Sequence, residues 1–252
     1  MCTSCGCGHP DMLPAVPLRP GGLVHDPGSG LGPVRRIVLE QDILAKNAEF
    51  AAVNRHRFAA AGVLALNLVS APGAGKTTLL ARTVTALRDE CPLAVLSGDP
   101  YTAQDAERIA ATGVPVLQIN TGKGCHLDAQ GVGRALDRLP LPEGGILFIE
   151  NVGNLVCPVD FDLGEDGMVL VLSVTEGEDK PLKYAPIFAA ASVLLLNKVD
   201  LLAHVDFDLV RCLNDVRRVH ADLPVLQLSA RSGAGFATWL NWLRQRCAAL
   251  RR

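Results

Sequence analysis

The chain has 252 residues, 49% of them hydrophobic, and its 24 basic and 26 acidic residues leave a formal net charge of −2. That length suits one well-buried α/β domain with an appendage, and the near-neutral balance without a basic run argues against nucleic acid or an anionic membrane as partner. With no apolar core of a signal peptide and no bilayer-spanning run, a cytoplasmic location is expected, where the eight cysteines serve as thiols or metal ligands rather than disulfides.

Residues 1–9 hold Cys2, Cys5 and Cys7, followed by His9. Three soft thiolate donors this close can wrap one late transition metal without needing a fold, the competing possibility being a terminus that merely oxidises. Residues 10–34 are rich in Pro and Gly and cannot bury enough surface to offset chain entropy, so they read as a flexible tether. Residues 35–252 read as the folded domain. Its first pattern, from about Arg35 to Ala61, is helical, and Gly62 can end it.

The apolar run Val63 to Val69 leads into Ser70-Ala71-Pro72-Gly73-Ala74-Gly75-Lys76-Thr77-Thr78, after which Leu80, Val84 and Leu87 recur at helical spacing. Strand, tight loop and helix in this order make a phosphate cradle. Backbone N–H groups from Gly73 to Thr78 turn inward on an anion, the helix N-terminus adds partial positive charge, and Lys76 reaches the terminal phosphates. The first position of the motif is Ser70 rather than Gly.

Leu93 to Ser97 reads as a buried strand with Asp99 just beyond its carboxyl end, where α/β sheets gather ligand-binding groups; the same residue also suits a plain turn before Pro100. Val114 to Ile119 is the next strand and leads to Cys125 and His126 at a helix mouth. Gly145 to Ile149 ends at Glu150, in the place of a Walker-B carboxylate beside Mg²⁺. Thr77, Asp99 and Glu150 are therefore the expected Mg²⁺ ligands, with Lys76, Asp99 and Glu150 as the expected catalytic groups. No arginine finger is identifiable.

Val169 to Val174 and Val193 to Leu196 continue the core, and the second runs into Asn197-Lys198-Val199-Asp200. The Asp200 carboxylate can accept two hydrogen bonds from guanine, whereas adenine offers no matching donor pair and would leave the charge unpaired. Lys198 can lie across the base, and the Ser229-Ala230 backbone can meet the guanine oxygen. The nucleotide is expected to be GTP. Helices over about Asp206 to His220 and up to about Leu250 flank the strand Val225 to Leu228. Strands alternating with helices predict a doubly wound, mostly parallel sheet.

Cys125, His126 and Cys157 form a second donor set. Adjacent side chains diverge in regular structure, so the missing donors are expected from a two-fold interface, with a metal at the seam of a dimer. Buried, inert thiols and a capping histidine are the alternative. Cys91, Cys212 and Cys247, without a near second donor in sequence, read as small core or surface thiols.

The Cys2-x-x-Cys5-Gly6-Cys7 start, the loop Ser70 to Thr78, the stretches Asn120 to Ala129 and Glu150 to Pro158, and Thr175-Glu176-Gly177-Glu178-Asp179-Lys180-Pro181 together resemble the HypB family, P-loop GTPases that help insert nickel into [NiFe]-hydrogenase. The resemblance implies Ni²⁺ at Cys2, Cys5 and Cys7 and Ni²⁺ or Zn²⁺ at Cys125, His126 and Cys157. It further implies a homodimer promoted by GTP and metal, and work beside a HypA-type metallochaperone on the hydrogenase large-subunit precursor. Bulk nickel storage is not expected, because only His9 and His25 lie in the first thirty-three residues. The urease accessory GTPases share the nucleotide motifs without this cysteine terminus. A metal-sequestering protein with a vestigial nucleotide site is the reading from another class.

Overall fold

Leu64–Ser70 is buried at every position because helices cover both faces of the sheet to which it belongs. A computed structural model describes residues 33–99, 104–122 and 124–250. Cys2, Cys5 and Cys7, the tether up to residue 32, and the side chain of Asp99 lie outside the described residues.

The chain begins there with α1 (Pro33–Ala60), β1 (Leu64–Ser70), α2 (Lys76–Leu87), β2 (Leu93–Asp99), α3 (Gln104–Ala110) and β3 (Val116–Asn120). It continues through α4 (Ala129–Leu136), β4 (Ile146–Glu150), β5 (Gly167–Ser173), α5 (Lys180–Lys183), α6 (Ala185–Ala190) and β6 (Val193–Asn197). The elements α7 (Leu209–Val219), β7 (Val225–Gln227) and α8 (Phe236–Leu250) complete it. All seven strands run parallel in the order β3-β2-β4-β1-β5-β6-β7. This is the doubly wound sheet expected, and its strand order reverses at β1, so the crevice outside the carboxyl end of β1 is the natural ligand site.

Period-two alternation sorts the strand residues between two layers. Leu64, Leu66 and Leu68 pack with Leu79, Leu80 and Val84 of α2 and Trp239 and Leu243 of α8. Ala65 lies on the other face, in a cluster with Phe58 of α1 and Val132 and Leu136 of α4. Leu170, Leu194 and Leu196 pack with Ile187 and Phe188 of α6 and Cys212 and Val216 of α7. The buried Trp239 indole N–H donates to Thr83 Oγ1 at 2.9 Å, so the largest core side chain carries no unpaired donor. The short helices α5 and α6 were not expected from sequence. Each opens with proline in its first turn and is too short to show a 3.6-residue period.

Candidate functional site: a phosphate cradle beside a Cys-His-Cys cluster

The loop between β1 and α2 lines a cavity of about 510 Å³ together with Gly98, Asp105, Arg108, Glu150, Asn151, Val152 and Gly153. Gly75 sits at φ 94°, a left-handed conformation, and a Cβ there would stand 2.7 Å from Asn197 Nδ2. Only glycine lets the chain turn at that point and start α2 with its N–H groups facing the cavity. Glu150, at 2% exposure, is held by three donors: Thr77 Oγ1 at 2.5 Å, Ser97 Oγ at 3.1 Å and Lys76 Nζ at 3.3 Å. A buried carboxylate beside two hydroxyls and an ammonium group offers oxygen donors to a hard cation and a positive charge to phosphate oxygens. Asp99 ends β2 opposite Asn120 on the same edge of the sheet.

Asn197 joins this loop to the next. Its Nδ2 donates to Ala74 O at 2.9 Å and its Oδ1 accepts from Ala230 N at 3.0 Å, while Lys198 Nζ donates to Gly73 O at 2.8 Å. Gly75, Thr78, Asn197, Lys198, Asp200, Leu201, Ala230 and Arg231 line an adjoining cavity of about 290 Å³. Ser229 is fully buried and its Oγ accepts from Ser232 N at 2.9 Å, which closes the turn. The sequence-predicted nucleotide residues from Gly73 to Ala230 thus line one or other of two adjoining cavities, except Ser229, which closes the turn beside them.

Cys125, His126 and Cys157 meet, their ligand atoms all lying within 4.8 Å of one another. Cys125 Sγ is 3.0 Å from Cys157 Sγ and 3.6 Å from His126 Nδ1. A tetrahedral ion with ordinary metal–sulfur and metal–nitrogen bonds sets a sulfur–nitrogen edge of about 3.6 Å, which Cys125 and His126 match, and a sulfur–sulfur edge of about 3.8 Å, for which the two thiols at 3.0 Å have to move apart. The divergence that adjacent side chains show in regular structure does not arise at Cys125 and His126, and the expected donor set comes together. The two residues lie in a bend between β3 and α4, not in a helix or strand, so both reach the same point. One chain supplies all three of these donors. The His126 ring lies 3.9 Å from the Phe161 ring, centroid to centroid. Burial pushes the His126 pKa down against the opposing pull of Asp128 and Asp160, which favours the neutral, metal-binding imidazole.

Three site residues escaped the sequence reading. Arg108 of α3 lines the phosphate cavity and its Nη2 donates to Thr78 Oγ1 at 3.1 Å. Arg82 of α2 donates from Nη1 to Ala230 O and Arg231 O, both at 3.0 Å, bracing the loop after β7. Asn151 is fully buried between the cavity and the Cys-His bend. Neither arginine belongs to a local motif, and Asn151 carries no spacing signal of its own. Cys91 and Cys247 line one cavity of about 350 Å³, and Cys212 is buried in α7.

Residues 64–227 match the CobW/HypB/UreG nucleotide-binding domain. The chain is 60% identical over 228 residues to the hydrogenase maturation factor HypB of Azotobacter vinelandii, covering 90% of this chain and 75% of that one. The crystal structure of HypB from Archaeoglobus fulgidus superposes with a TM-score of 0.75 at 36% identity, covering 81% of this chain and 99% of that one. HypB from Helicobacter pylori, solved in complex with nickel, gives 0.77 at 34% identity, covering 81% and 96%. With its phosphate cradle, parallel sheet and this degree of likeness, the chain belongs to the HypB family within the CobW/HypB/UreG nucleotide-binding proteins.

Proposed function

We propose that this protein is a GTP-hydrolysing nickel metallochaperone that assists insertion of Ni²⁺ into the [NiFe]-hydrogenase large-subunit precursor. The observation that carries the reading is that one segment serves both sites. Asn151, Val152 and Gly153 line the phosphate cavity, and the same turn continues to Cys157 of the Cys-His-Cys cluster. The relatives are named as hydrogenase maturation factors, and one was crystallised with nickel.

GTP is the expected nucleotide because Asp200 borders the second cavity, where a carboxylate selects guanine. Thr77 and Glu150, with Asp99 at the neighbouring strand end, have the oxygen donors for Mg²⁺, which supplies charge neutralisation on the phosphates when bound. Lys76 and the backbone N–H groups of α2 hold the β- and γ-phosphates, Asn197 keeps the base wall in register with the phosphate loop, and Glu150 gives up its contact to Lys76 as the phosphates arrive.

Cys125, His126 and Cys157 hold Ni²⁺ as cargo, in competition with Zn²⁺, since sulfur and imidazole accept both. The fourth position is open to a second copy of the chain or to the HypA-type metallochaperone. Cys2, Cys5 and Cys7 form a separate nickel site, and the work takes place in the cytoplasm. Among the described residues no helix is long and apolar enough to cross a membrane.

The deciding experiment titrates Ni²⁺ into the wild type and Cys125→Ala with GDP, GTP or a non-hydrolysable GTP analogue, while tracking oligomeric mass. The reading expects nucleotide-dependent affinity that Cys125→Ala abolishes. Equal affinity in all three nucleotide states overturns it.

A further inference from the structure

Asn151 is the first residue past β4 and borders the phosphate cavity. Its backbone N–H donates to Leu68 O at 3.0 Å, extending the β1–β4 pairing by one residue toward the phosphate loop. Its side chain serves a different neighbour. Asn151 Oδ1 accepts from Leu127 N at 3.1 Å and from Val152 N at 2.9 Å. Asn151 Nδ2 donates to Asn67 Oδ1 at 3.2 Å, and Asn67 Nδ2 in turn donates to Glu165 Oε1 at 2.9 Å.

Leu127 directly follows His126, so the hydrogen bond to its N–H is made at the end of the Cys125-His126 bend. The same leucine is clamped from the other side, since a Cβ on Gly98, itself a cavity-lining residue, would stand 2.8 Å from Leu127 Cγ. Asn67, Asn151 and Leu127 are all within 1% of complete burial. A buried N–H that loses its acceptor is costly and has no water to replace it. When the turn after Glu150 moves, the favourable response is for Leu127, and His126 with it, to follow the Asn151 carbonyl.

We propose that Asn151 is the positioning residue through which nucleotide occupancy of the phosphate cavity reaches the Cys125-His126 bend; this rests on the reading of the chain as a nucleotide-gated nickel carrier. Asn67 anchors the arrangement on β1, the strand that feeds the phosphate loop. Within the segment that also leads to Cys157, the Asn151 side-chain oxygen is the contact that reaches the Cys125-His126 bend directly.

The test uses the full chain carrying Cys2→Ala, Cys5→Ala and Cys7→Ala, so that a nickel titration reads the Cys125 site. The unmodified core is expected to change its nickel affinity by roughly five- to 150-fold between GDP and a non-hydrolysable GTP analogue, the ordinary range of such couplings. Adding Asn151→Ala is expected to bring that ratio to about one. A merely structural role lowers both affinities together and keeps the ratio, which overturns the proposal. Amide hydrogen exchange on the metal-free chain with native Asn151 decides the matter if Asn151→Ala does not fold. Leu127 N–H protection differing between the two nucleotides supports the proposal, and identical protection overturns it. If the chain with native Asn151 shows no nucleotide dependence of nickel affinity, the functional reading beneath the proposal fails and takes the proposal with it. A dependence that survives Asn151→Ala removes the proposal alone.

Discussion

Thr77 Oγ1 donates to Glu150 Oε1 across 2.5 Å, and both residues are buried at the junction of the phosphate loop and β4. A hydroxyl and a carboxylate held this way share the same space that a divalent cation and its phosphates need. Glu150→Gln keeps the shape and removes the charge. It is expected to slow GTP hydrolysis by about a hundredfold while nucleotide binding persists, because charge stabilisation at such a site is worth several kcal/mol. Phosphate release under saturating GTP and Mg²⁺ checks this.

Asp200 borders the second cavity beside Asn197 and Lys198. Asp200→Asn replaces an acceptor of two N–H donors with an amide, so GTP affinity is expected to fall by about a hundredfold or more, in line with two charged hydrogen bonds. Xanthosine triphosphate, which has an oxygen in place of the guanine amine, is expected to gain affinity. Competition binding with both nucleotides reads the exchange.

Arg108 brings a cation into the phosphate cavity although half its side chain is exposed, and it pairs with Asp105 at 3.9 Å. Its guanidinium is expected to leave Asp105 and Thr78 for a phosphate oxygen when nucleotide binds. Arg108→Ala is expected to lower the hydrolysis rate about tenfold, the scale of one charged hydrogen bond. Arg108→Lys recovers part of the loss, since it restores charge without the planar fork. Single-turnover rates separate this from weakened binding.

The cysteines divide by environment. Cys157→Ala removes one of three donors and is expected to weaken zinc or nickel binding by about a hundredfold. Cys212→Ala is expected to leave metal binding unchanged. Burial, helped by Asp215, Glu178 and Asp208, pushes the Cys212 thiol up to about 12, so it stays protonated in the folded chain. Brief alkylation at mildly alkaline pH, followed by mass spectrometry, is expected to label the half-buried Cys91 and Cys247 before Cys212.

Trp239 fills the core between α8 and α2 and donates to Thr83. Trp239→Ala is expected to destabilise the fold by about 3–5 kcal/mol through the cavity it leaves. Thr83→Val, which strands the indole N–H without changing volume much, is expected to cost about 1–3 kcal/mol. Urea unfolding of the two variants measures both.

The nucleotide half of the site was legible because each of its parts is local. Ser70 to Thr78 is a loop between a strand and a helix, Glu150 ends a strand, and Asn197 to Asp200 follows another; in a parallel α/β sheet every such carboxyl end lies on one edge. Motifs in that order along a chain therefore imply neighbours in space.

The sequence by itself determined the parallel sheet and the phosphate loop, and it carries the motif on which the proposal of guanine rests, since alternating apolar segments and short motifs hold that information within a few residues. Only the tertiary structure decided that Cys125 and His126 converge on Cys157, that Arg108 enters the phosphate cavity, and that Asn151 holds Leu127. Those outcomes depend on the backbone path of an irregular bend and on which strands become neighbours. Residue spacing does not encode either one.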